Sequence, residues 1–593
     1  MSFFHLLLLE NNGIPIISQN STFTIDIILL YSIVMEKFLA QLLEPLKGGT
    51  TEKPRSNPLT EAEGKTLIQD LCFDSRAVKA GSLFFALPGT HVHGNNFIPQ
   101  AIEKGAAAIL YQDQLPSQVE EAISQRKQQG LSVPPLVQVP DTRFAMSPIA
   151  DCFYDSPSRK LIVIGVTGTE GKSSTVSFVW QLLRFMGKKA GFISTVQYSL
   201  GGDAIANPEH QTTPEAPIVQ RQLYEMVQAG CQYAVVESSS HGLSPRTNRL
   251  GDVLFDGALW MNVTQEHLEF HGTYQQYRDD KANLFRALDK HNHKKIIGGI
   301  EQQVPAFGIV NLEDPAASYF VEATKSPVMG FTSRGEAGRG KQSVAENPPA
   351  IPFVEAANIG LRQDGSGISF TMKGNLPALK GNDLVVEAPT SGAFNAYNIM
   401  AASVAVATAT GLPLAEVVKQ AQHLEPVTGR MTVVDCGQPF EVIVDYAHTP
   451  SSFETIFPPL RQRITGKIFV IFGSGGERDT TKRPEQGRIA AHWCDVVVLA
   501  DEDPRGEDPV ALLEDIAVGC RQEGKHDEAS GLLIIPHRQT AIRTAFSQAQ
   551  QGDLVLLLGK AHENSIIYKD FVMPYDEIAE ARTALAELGF TGR

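Results

Sequence analysis

The sequence predicts an α/β protein built from three domains, and three observations lead to this prediction. Its 593 residues exceed the usual size of one domain several-fold. From about residue 159 onward, short apolar runs alternate with helical stretches, which is typical of parallel sheets covered by helices. Polar residues cluster directly after these runs, where open α/β sheets place their ligand sites.

The expected domain boundaries follow changes of pattern along the chain. Residues 35–158 form the first domain, in which short apolar runs are interrupted by Gly and Pro. Residues 159–428 form the central domain and residues 429–593 the third. We expect residues 1–34 to be a disordered or non-native extension, because their apolar runs are too short to span a membrane and an amphipathic segment begins at Met35.

Composition indicates a globular protein and excludes some partners. Hydrophobic residues make up 42% of the chain and charged residues 20%, which is ordinary for soluble domains. A net charge of -15 disfavours non-specific binding to nucleic acid or to anionic membranes, since both are polyanions. The six cysteines are scattered without a C-x-x-C pair, so we expect free thiols in a reducing cytoplasm rather than disulfides or zinc.

Residues 164–175, IGVTGTEGKSST, have the context of a phosphate-binding loop, with an apolar run before them and a helical stretch after. Small residues allow backbone N–H groups to surround a phosphate, and the helix N-terminus adds positive potential. Lys172 would reach the β- and γ-phosphates of a nucleotide, and Ser173 would bind Mg²⁺. The glycine spacing is unusual, because Val166 stands where the common loop has its first glycine. A glycine-rich turn without a ligand is the alternative.

A second group of candidates lies downstream of the loop. Glu237 ends the next apolar run, and a carboxylate at a strand end near a phosphate loop suits Mg²⁺, which prefers oxygen ligands. His267 and Lys281 follow. A lone histidine such as His267 is more often structural than a metal ligand, and the sequence assigns no function to His271.

Several motifs in a fixed order resemble the Mur ligase family, over residues 74–576. GVTGTEGKSS fits the family's phosphate loop and accounts for the shifted glycine, and FDSRAVKAGSLFFALPG, HQTTPE, ESSSHGL, GAFNAYN, DYAHTP and DEDPRGEDP match further family motifs. The resemblance implies an N-terminal UDP-binding α/β domain, a central P-loop ATPase-like domain with a parallel sheet, and a C-terminal Rossmann-like α/β domain.

The resemblance also implies an activity, which is the ATP-dependent addition of the third residue to the peptidoglycan stem peptide. The D-glutamate carboxylate of UDP-N-acetylmuramoyl-L-alanyl-D-glutamate would become an acyl phosphate, and a diamino acid would then form the amide. The partners would be these small molecules, without nucleic acid or membrane insertion, in the cytoplasm.

The family's functional residues map onto this sequence by motif. The ATP site would comprise Gly168, Thr169, Glu170, Gly171, Lys172, Ser173, Ser174, Asn398, Arg430, Asp445 and His448. The catalytic residues would be Lys172, Glu237, His267 and Lys281. Two Mg²⁺ ions would be held by Ser173, Glu237, His267 and Lys281, the last as a carbamate formed with CO₂. Glu170 departs from the usual Asn, and its carboxylate should repel phosphates unless it points outward or faces a cation.

The substrate sites map in the same way. The UDP-linked dipeptide would contact Ser75, Thr212, Thr213, Ser239 and Arg249. The incoming amino acid would contact Arg478, Asp503, Arg505, Gly559 and Glu563. Placing Arg249 rather than Arg246 in the dipeptide site requires a two-residue insertion. Asp74 and Arg76 beside Ser75 form a local ion pair in the alternative interpretation, and His93 replaces the usual Asp.

The identity of the amino acid stays open at this level. Family members that add meso-diaminopimelate carry D-N-P-R, where this chain has Asp503 in the Asn position and retains Arg505. An acid there favours lysine or ornithine, whereas the arginine favours the second carboxylate of diaminopimelate. Arg505 slightly favours meso-diaminopimelate.

Three rival functions remain. Another amide ligase of the superfamily, such as folylpolyglutamate synthetase, is the nearest, but the D-S-R and D-P-R motifs speak against it. A nucleotide-dependent switch or motor would need no amino-acid site. An inactive scaffold is suggested by Glu170 and by Ala561, which replaces a glycine in the family's G-K-G-H-E motif.

Overall fold

The computed structural model describes residues 35–47, 59–89, 92–207, 211–264, 266–334, 349–362 and 367–592. Glu36–Arg593 form one compact unit. Three principal sheets follow one another along this unit, and we name the parts that carry them the N-terminal, central and C-terminal domains. The extension expected at residues 1–34 lies outside the described residues. Within the described part, no helix combines the length and apolar character needed to cross a bilayer.

The N-terminal domain is built on a small parallel sheet. Its elements are β1 (Lys37–Phe38), α1 (Leu39–Leu43), α2 (Glu61–Gly64), β2 (Leu67–Ile68), β3 (Asp70–Cys72), β4 (Ser82–Ala86), α3 (Ile98–Glu103), β5 (Ala108–Tyr111), α4 (Ser117–Gln128), β6 (Leu136–Gln138) and α5 (Thr142–Phe153). The sheet has the parallel order β3–β4–β5–β6, and β1 and β2 form a separate antiparallel pair.

The central domain contains the longest run of elements. They are β7 (Ile162–Thr167), α6 (Lys172–Phe185), β8 (Ala190–Ile193), β9 (Gln197–Ser199), β10 (Ile205–Ala206), α7 (Ala216–Gln228), β11 (Tyr233–Glu237), α8 (Ser240–Leu243), β12 (Gly257–Trp260), α9 (Leu268–His271), α10 (Tyr274–Leu288), β13 (Lys294–Ile297), β14 (Ile300–Gln303), β15 (Phe307–Asn311), α11 (Ala317–Glu322), β16 (Val328–Thr332), β17 (Phe353–Leu361), β18 (Ile368–Gly374), β19 (Leu384–Ala388), α12 (Asn395–Thr410) and α13 (Leu414–Lys419). All strands except β13 and β14 belong to one sheet of order β10–β9–β8–β11–β7–β12–β15–β16–β17–β18–β19.

β7 lies in the middle of this sheet and is buried on both faces. Ile164 and Val166 pack with Val179 of α6 on one face, and Val163 packs with Leu284 of α10 on the other. Successive residues of a strand point to opposite faces, so a strand covered on both sides reads as an unbroken apolar run. This explains why the sequence revealed β7 so clearly and why its carboxyl end is fixed in place.

The edges of the central sheet are antiparallel, which the sequence did not predict. The strands β8–β11–β7–β12–β15–β16–β17, in sheet order, pair in parallel. The pairs within β8–β9–β10 and β17–β18–β19 are antiparallel. The buried residues of β18 alternate with partly exposed ones, because only one face of this edge is covered. Its weaker alternation is harder to recognise in sequence than the apolar runs of the centre.

The C-terminal domain repeats the α/β arrangement. Its elements are β20 (Thr432–Val433), β21 (Glu441–Asp445), α14 (Pro450–Arg463), β22 (Ile468–Phe472), α15 (Lys482–Trp493), β23 (Val496–Leu499), α16 (Pro509–Gln522), β24 (Leu532–Ile534), α17 (Arg538–Gln548), β25 (Leu554–Leu558), β26 (Ser565–Ile567), β27 (Val572–Pro574) and α18 (Glu577–Glu587). The sheet order is β20–β21–β25–β22–β23–β24, parallel except for β20. Its five parallel strands are the apolar runs recognised in the sequence. All six cysteines of the chain are free thiols, as expected, and four are buried.

A fully buried ion pair joins the first residues of α17 and α18. The side chains of Arg538 and Glu577 are both 0% exposed, with Nη2 and Oε1 2.8 Å apart. Arg538 Nη2 also donates to the carbonyl of Leu558 at 2.7 Å, at the end of β25. The pair therefore ties two helix starts to the carboxyl edge of the sheet.

We expect Glu577→Ala to lower the free energy of unfolding by about 3–5 kcal/mol, because it leaves a buried guanidinium without its counter-ion. The midpoint of urea unfolding measures this effect. Glu587→Ala is the matched control, since Glu587 pairs with Arg543 on the exposed side of the same helix, and its midpoint should stay close to that of the unmodified protein. Equal midpoints for both variants would contradict the expectation.

Candidate active site

A cavity of about 980 Å³ opens between the carboxyl edges of the central and C-terminal sheets. Most of the residues predicted to bind ATP, metal, dipeptide or amino acid line it. They are Thr169, Glu170, Gly171, Lys172, Ser173, Ser174, Thr212, Glu237, Ser239, Arg249, His267, Asn398, Arg430, Asp445, His448, Arg478, Asp503, Arg505 and Glu563. The predicted residues Ser75, Gly168, Thr213, Lys281 and Gly559 are not among its lining residues.

The phosphate loop connects β7 to α6, and two glycines give it its shape. Gly168 has φ +154° and Gly171 has φ +81°, a region that L-residues rarely adopt. A Cβ on Gly171 would lie 2.7 Å from Asn398 Oδ1, so the position is closed to side chains. Lys172 is the first residue of α6 and its Nζ donates to the Thr169 carbonyl at 2.8 Å. The loop thus presents the α6 N-terminus and a lysine to the cavity, which is the arrangement that binds phosphates.

Glu237 lies at the end of β11, which pairs directly with β7. Its carboxylate accepts hydrogen bonds from Ser173 Oγ at 3.1 Å, Ser194 Oγ at 2.6 Å, and both the backbone N and Oγ1 of Thr195 at 2.9 Å. All of these donors are neutral. An ionised carboxylate beside a hydroxyl is an oxygen donor set that fits Mg²⁺. The sequence prediction missed Ser194 and Thr195, although they directly follow β8 at the same sheet edge.

Lys281 lies beneath the loop rather than on the cavity wall. Its side chain is buried, and its Nζ donates to the Gly168 carbonyl at 2.7 Å and lies 4.4 Å from the ring centroid of Tyr277. Burial lowers the pKa of Lys281 well below its ordinary value, and the positive charge of Lys172 adds to this shift. A buried amine next to the phosphate loop therefore distinguishes Lys281 from a solvated helix lysine.

His267 lines the cavity with a backbone φ of +55°, which is uncommon for a residue other than glycine. Its Nδ1 is 3.2 Å from Glu269 Oε1, and its Nε2 is 3.7 Å from Glu266 Oε1. His267 therefore faces these carboxylates. Burial raises the pKa of Glu266, but His267, His448 and their neighbours lower it well below its usual value. This anionic group was not assigned a role from sequence.

His241 is a cavity residue that the sequence prediction also missed. It belongs to the ESSSHGL motif, and its ring centroid is 4.9 Å from that of His267. Burial, together with His267 and His271, lowers the pKa of His241 to about 3, so this imidazole is neutral at physiological pH. His271 is fully buried, with Nδ1 2.7 Å from Asp280 Oδ2 and Nε2 3.0 Å from Ser240 Oγ. These contacts give His271 a structural role.

Some of the residues predicted to bind the dipeptide line the cavity, and others lie behind its wall. Thr213 is buried, where its Oγ1 donates to the Glu237 carbonyl at 2.9 Å and accepts from the Ser239 N–H at 3.0 Å. Arg249 donates to the Thr213 carbonyl at 2.8 Å and to Glu215 Oε1 at 2.8 Å. Arg246 instead stacks on a phenylalanine ring. The arrangement favours Arg249 as the arginine of the dipeptide site, which stays a prediction.

The N-terminal candidate Ser75 follows β3 and is buried. Beside it, Arg76 forms a bidentate ion pair with Asp74, in which Nη2 is 2.8 Å from Oδ2. The local ion pair of the alternative interpretation is therefore present. His93 takes over the capping function of the usual Asp, since its Nδ1 accepts from the Asn95 N–H at 3.2 Å.

The remaining residues predicted to bind ATP come from both the central and the C-terminal domain. Asn398 Oδ1 accepts from Thr175 Oγ1 at 3.2 Å, within the central domain. Asp445, at the end of β21, accepts from the backbone N–H groups of Met431 at 2.7 Å and Ala447 at 2.8 Å, and burial raises its pKa. Arg430 donates to the loop residue Ser173 at 3.2 Å, so the C-terminal domain contacts the phosphate loop.

The amino-acid candidates surround a buried lysine that the sequence prediction passed over. Lys560 is fully buried, and its Nζ donates to Asp503 Oδ1 at 2.9 Å and to Glu563 Oε2 at 2.5 Å. Asp503 Oδ1 also accepts from the Ile567 N–H at 2.9 Å. The Asp503 carboxylate thus shares one buried cation with Glu563. Arg505 lies on the same connection after β23 as Asp503 and also lines the cavity.

Two further positions of this region have a positive φ. Gly559 has φ +94°, and a Cβ there would lie 2.7 Å from Glu502 Oε2, which explains the glycine. Ala561 has φ +38° although it carries a side chain. It is buried, so the alanine occupies a glycine-like conformation without disrupting the fold.

Comparison with models of known protein families identifies the family of this chain. Residues 67–147 match the Mur ligase family catalytic domain, residues 166–406 the Mur ligase middle domain, and residues 429–561 the Mur ligase glutamate ligase domain. The chain belongs to the Mur ligase family. The prediction of three α/β domains is thereby confirmed, and the protein is an ATP-dependent, amide-forming ligase whose family membership implies ATP and Mg²⁺.

Similar proteins span almost the whole ligase. The UDP-N-acetylmuramyl-tripeptide synthetase of Treponema denticola is 51% identical over 535 residues, 88% of this chain and 94% of that protein. The UDP-N-acetylmuramoyl-L-alanyl-D-glutamate–2,6-diaminopimelate ligase of Geobacillus kaustophilus is 36% identical, covering 89% and 96%. A solved structure of a ligase with the same name as the Geobacillus protein has a TM-score of 0.53 at 24% identity, covering 90% of this chain and 98% of its own, and supports the fold.

We expect His271→Ala to lower the free energy of unfolding of the ligase by about 1–3 kcal/mol, because the buried Asp280 loses its hydrogen-bond donor. The affinity for ATP should change little. Chemical unfolding and nucleotide titration measure the two quantities. His492→Ala, at an exposed position on α15, is the control. A large loss of ATP affinity with unchanged stability would instead place His271 in the nucleotide site.

Proposed function

We propose that this ligase joins the D-glutamate carboxylate of UDP-N-acetylmuramoyl-L-alanyl-D-glutamate to a diamino acid, as the third residue of the peptidoglycan stem peptide. One observation carries the proposal: the phosphate loop, Glu237 and most of the candidates for both organic substrates line a single cavity. A carboxylate, a γ-phosphate and an amine can therefore meet without crossing solvent.

The proposed chemistry has two steps. A D-glutamate carboxylate oxygen attacks the γ-phosphorus of ATP, and ADP leaves, which produces an acyl phosphate. The amine of the diamino acid then attacks the acyl carbon, loses a proton, and displaces inorganic phosphate to leave the amide. No protein nucleophile takes part, so the chain contributes positioning and electrostatic stabilisation. Lys172 supplies a positive charge to the phosphates, and the α6 N-terminus supplies backbone donors.

Ser173 and Glu237 would hold the first Mg²⁺, and His267 with a carbamylated Lys281 the second. Bound Mg²⁺ neutralises phosphate charge. Glu237 is suited to this role because its hydrogen-bond partners orient it without cancelling its charge. Lys281 is suited to carbamylation because it is buried beside the loop, where burial lowers its pKa and favours the neutral amine that reacts with CO₂.

The N-terminal domain, within residues 35–158, would bind the UDP end of the substrate through Ser75. The central domain, residues 159–428, would bind ATP, and residues 429–593 would bind the amino acid. Free thiols and nucleotide-linked substrates favour the cytoplasm as the compartment.

For the identity of the amino acid, the contacts of Asp503 weaken the sequence argument for lysine or ornithine. The reason to expect lysine or ornithine was the acid at Asp503, but its Oδ1 already accepts hydrogen bonds from Lys560 Nζ and the Ile567 N–H. Arg505 remains on the cavity wall, where a guanidinium matches a carboxylate in two-point contact. We therefore place meso-diaminopimelate ahead of lysine and ornithine.

The rival amide ligase finds less support. A folylpolyglutamate synthase of Mycobacterium tuberculosis shares the fold at 14% identity and a TM-score of 0.52, over 70% of this chain. That likeness concerns the fold alone, whereas relatives named for muramyl tripeptide synthesis are far more similar in sequence.

We expect ADP release only when UDP-N-acetylmuramoyl-L-alanyl-D-glutamate and a diamino acid are both present, with the highest kcat/KM for meso-diaminopimelate in a panel with lysine and ornithine. Lys172→Ala should lower kcat at least about 100-fold, because a charge at the transferring phosphate is lost. A coupled ADP assay measures both. ADP release without the second substrate would indicate a switch or motor, and no release with any diamino acid would indicate a scaffold.

We expect a carbamate on Lys281, detectable by ¹³C NMR after incubation with ¹³C-bicarbonate. Lys281→Gln should lose this signal because it lacks the amine. Lys172→Ala should retain it, which separates the two lysines of the site. Persistence of the signal in Lys281→Gln, or its absence in the unmodified protein, would refute the assignment.

A further inference from the structure

The main chain of Glu170 is held by a single side chain. Its N–H donates to Asn262 Oδ1 at 2.9 Å, and its carbonyl accepts from Asn262 Nδ2 at 3.2 Å. Asn262 follows β12, the strand that pairs with β7 on the side opposite β11. Because both backbone polar groups are fixed, the direction in which the Glu170 side chain leaves the phosphate loop is also restricted.

The Glu170 carboxylate reaches the other domain. Its Oε1 accepts from Ser451 Oγ and, at 3.4 Å, from Thr449 Oγ1. Thr449 is the N-cap of α14 and Ser451 lies in its first turn. The N-terminus of a helix carries partial positive charge, which stabilises a nearby carboxylate. An anion of the ATP-binding domain is therefore held at the start of a helix of the C-terminal domain.

Neighbouring contacts join the same two domains. Ser451 Oγ is 3.2 Å from Thr264 Oγ1, and His448 Nε2 is 3.4 Å from Glu266 Oε1. Both central-domain partners belong to the connection after β12. Glu170 differs from them because it is part of the phosphate loop itself. Its contact thus links the position of the loop directly to the position of the domain that carries the amino-acid candidates.

We propose that Glu170 is a positioning residue that holds the C-terminal domain closed over the phosphate loop, so that the incoming amine meets the activated carboxylate. The proposal rests on the proposed amino-acid site in that domain. It explains how a carboxylate can stand in a phosphate loop, because the charge is directed to α14 instead of the nucleotide. Closure governs the amino-acid step, so loss of the contact should act there more strongly than on ATP binding, for which only Arg430, Asp445 and His448 of the candidates come from the C-terminal domain.

The test compares Glu170→Gln with Glu454→Gln, the same change at an exposed position of α14. Glu170→Gln should raise the KM for the diamino acid about ten-fold, since a smaller closed fraction lowers apparent affinity in proportion. Its Kd for ATP should stay within about two-fold of the unmodified enzyme, and Glu454→Gln should change neither quantity. A residue that only supports the fold of the loop would change the Kd for ATP.

A double-mutant cycle identifies the partner. Ser451→Ala should raise the KM for the diamino acid in the same direction, and the double variant should be little worse than either single variant, because one change removes the donor and the other the acceptor charge of the same charge-assisted hydrogen bond. Additive effects would show that the two residues act separately and would overturn the proposal. An unchanged diamino-acid KM in Glu170→Gln, with altered ATP affinity, would also overturn it.

A measurement without turnover keeps this inference apart from the proposed function. With a non-hydrolysable ATP analogue bound, small-angle scattering should give Glu170→Gln a larger radius of gyration than the unmodified enzyme and Glu454→Gln. Equal radii would overturn the role of Glu170 even if the ligase accepts the expected substrates. If the unmodified enzyme accepts no diamino acid but the radii differ, the proposed substrate is wrong and the closure contact stands.

Discussion

The parallel pairing of β7 with β11 on one side and β12 on the other is the constraint on which the site depends. Parallel strands bring their carboxyl ends to one edge, so the segments that follow these three strands become neighbours. Val166 is in register with Glu237 and with Leu259, which places the loop between Glu237 and Asn262. Helices cover both faces of β7, and a slip of one residue would turn its whole apolar set to the wrong face.

Three carboxylates of the molecule show how the hydrogen-bond and ion-pair partners of a carboxylate determine its role. Glu577 is neutralised by Arg538 and serves the fold. Asp503 shares the buried cation of Lys560 with Glu563 and lines the C-terminal side of the cavity. Glu237 is different, because the hydrogen-bond donors described for it are neutral hydroxyl and backbone N–H groups, which orient it without forming an ion pair. Only the last arrangement both fixes a carboxylate and keeps it attractive to a cation, which is the requirement for a Mg²⁺ ligand.

The parts of the structure predictable from sequence are those whose determinants are local. The phosphate loop, α6 and the buried parallel strands each follow from the residues within one segment, and Glu237 follows from its place after an apolar run. The residues that depart from the family pattern have partners far away in the sequence. Lys560 is 57 positions from Asp503, and Ser451 is 281 positions from Glu170. No periodicity connects such pairs, so their charges looked uncompensated in the sequence. The antiparallel edges of the central sheet were not predicted for a different reason. Their strands are partly exposed and alternate only weakly between apolar and polar residues.

The hypothesis of an inactive scaffold arose from Glu170 and Ala561, and the structure gives these and the other departures from the family pattern a compatible setting. Glu170 directs its charge to the α14 hydroxyls, and His93 caps a turn with a ring nitrogen as an aspartate would with oxygen. Asp503 has a buried lysine as its counter-ion. Ala561 retains a glycine-like φ at +38°, a conformation that costs an L-residue about 1–2 kcal/mol. The fold accommodates each departure without losing the site, so none of them supports an inactive scaffold over an active ligase.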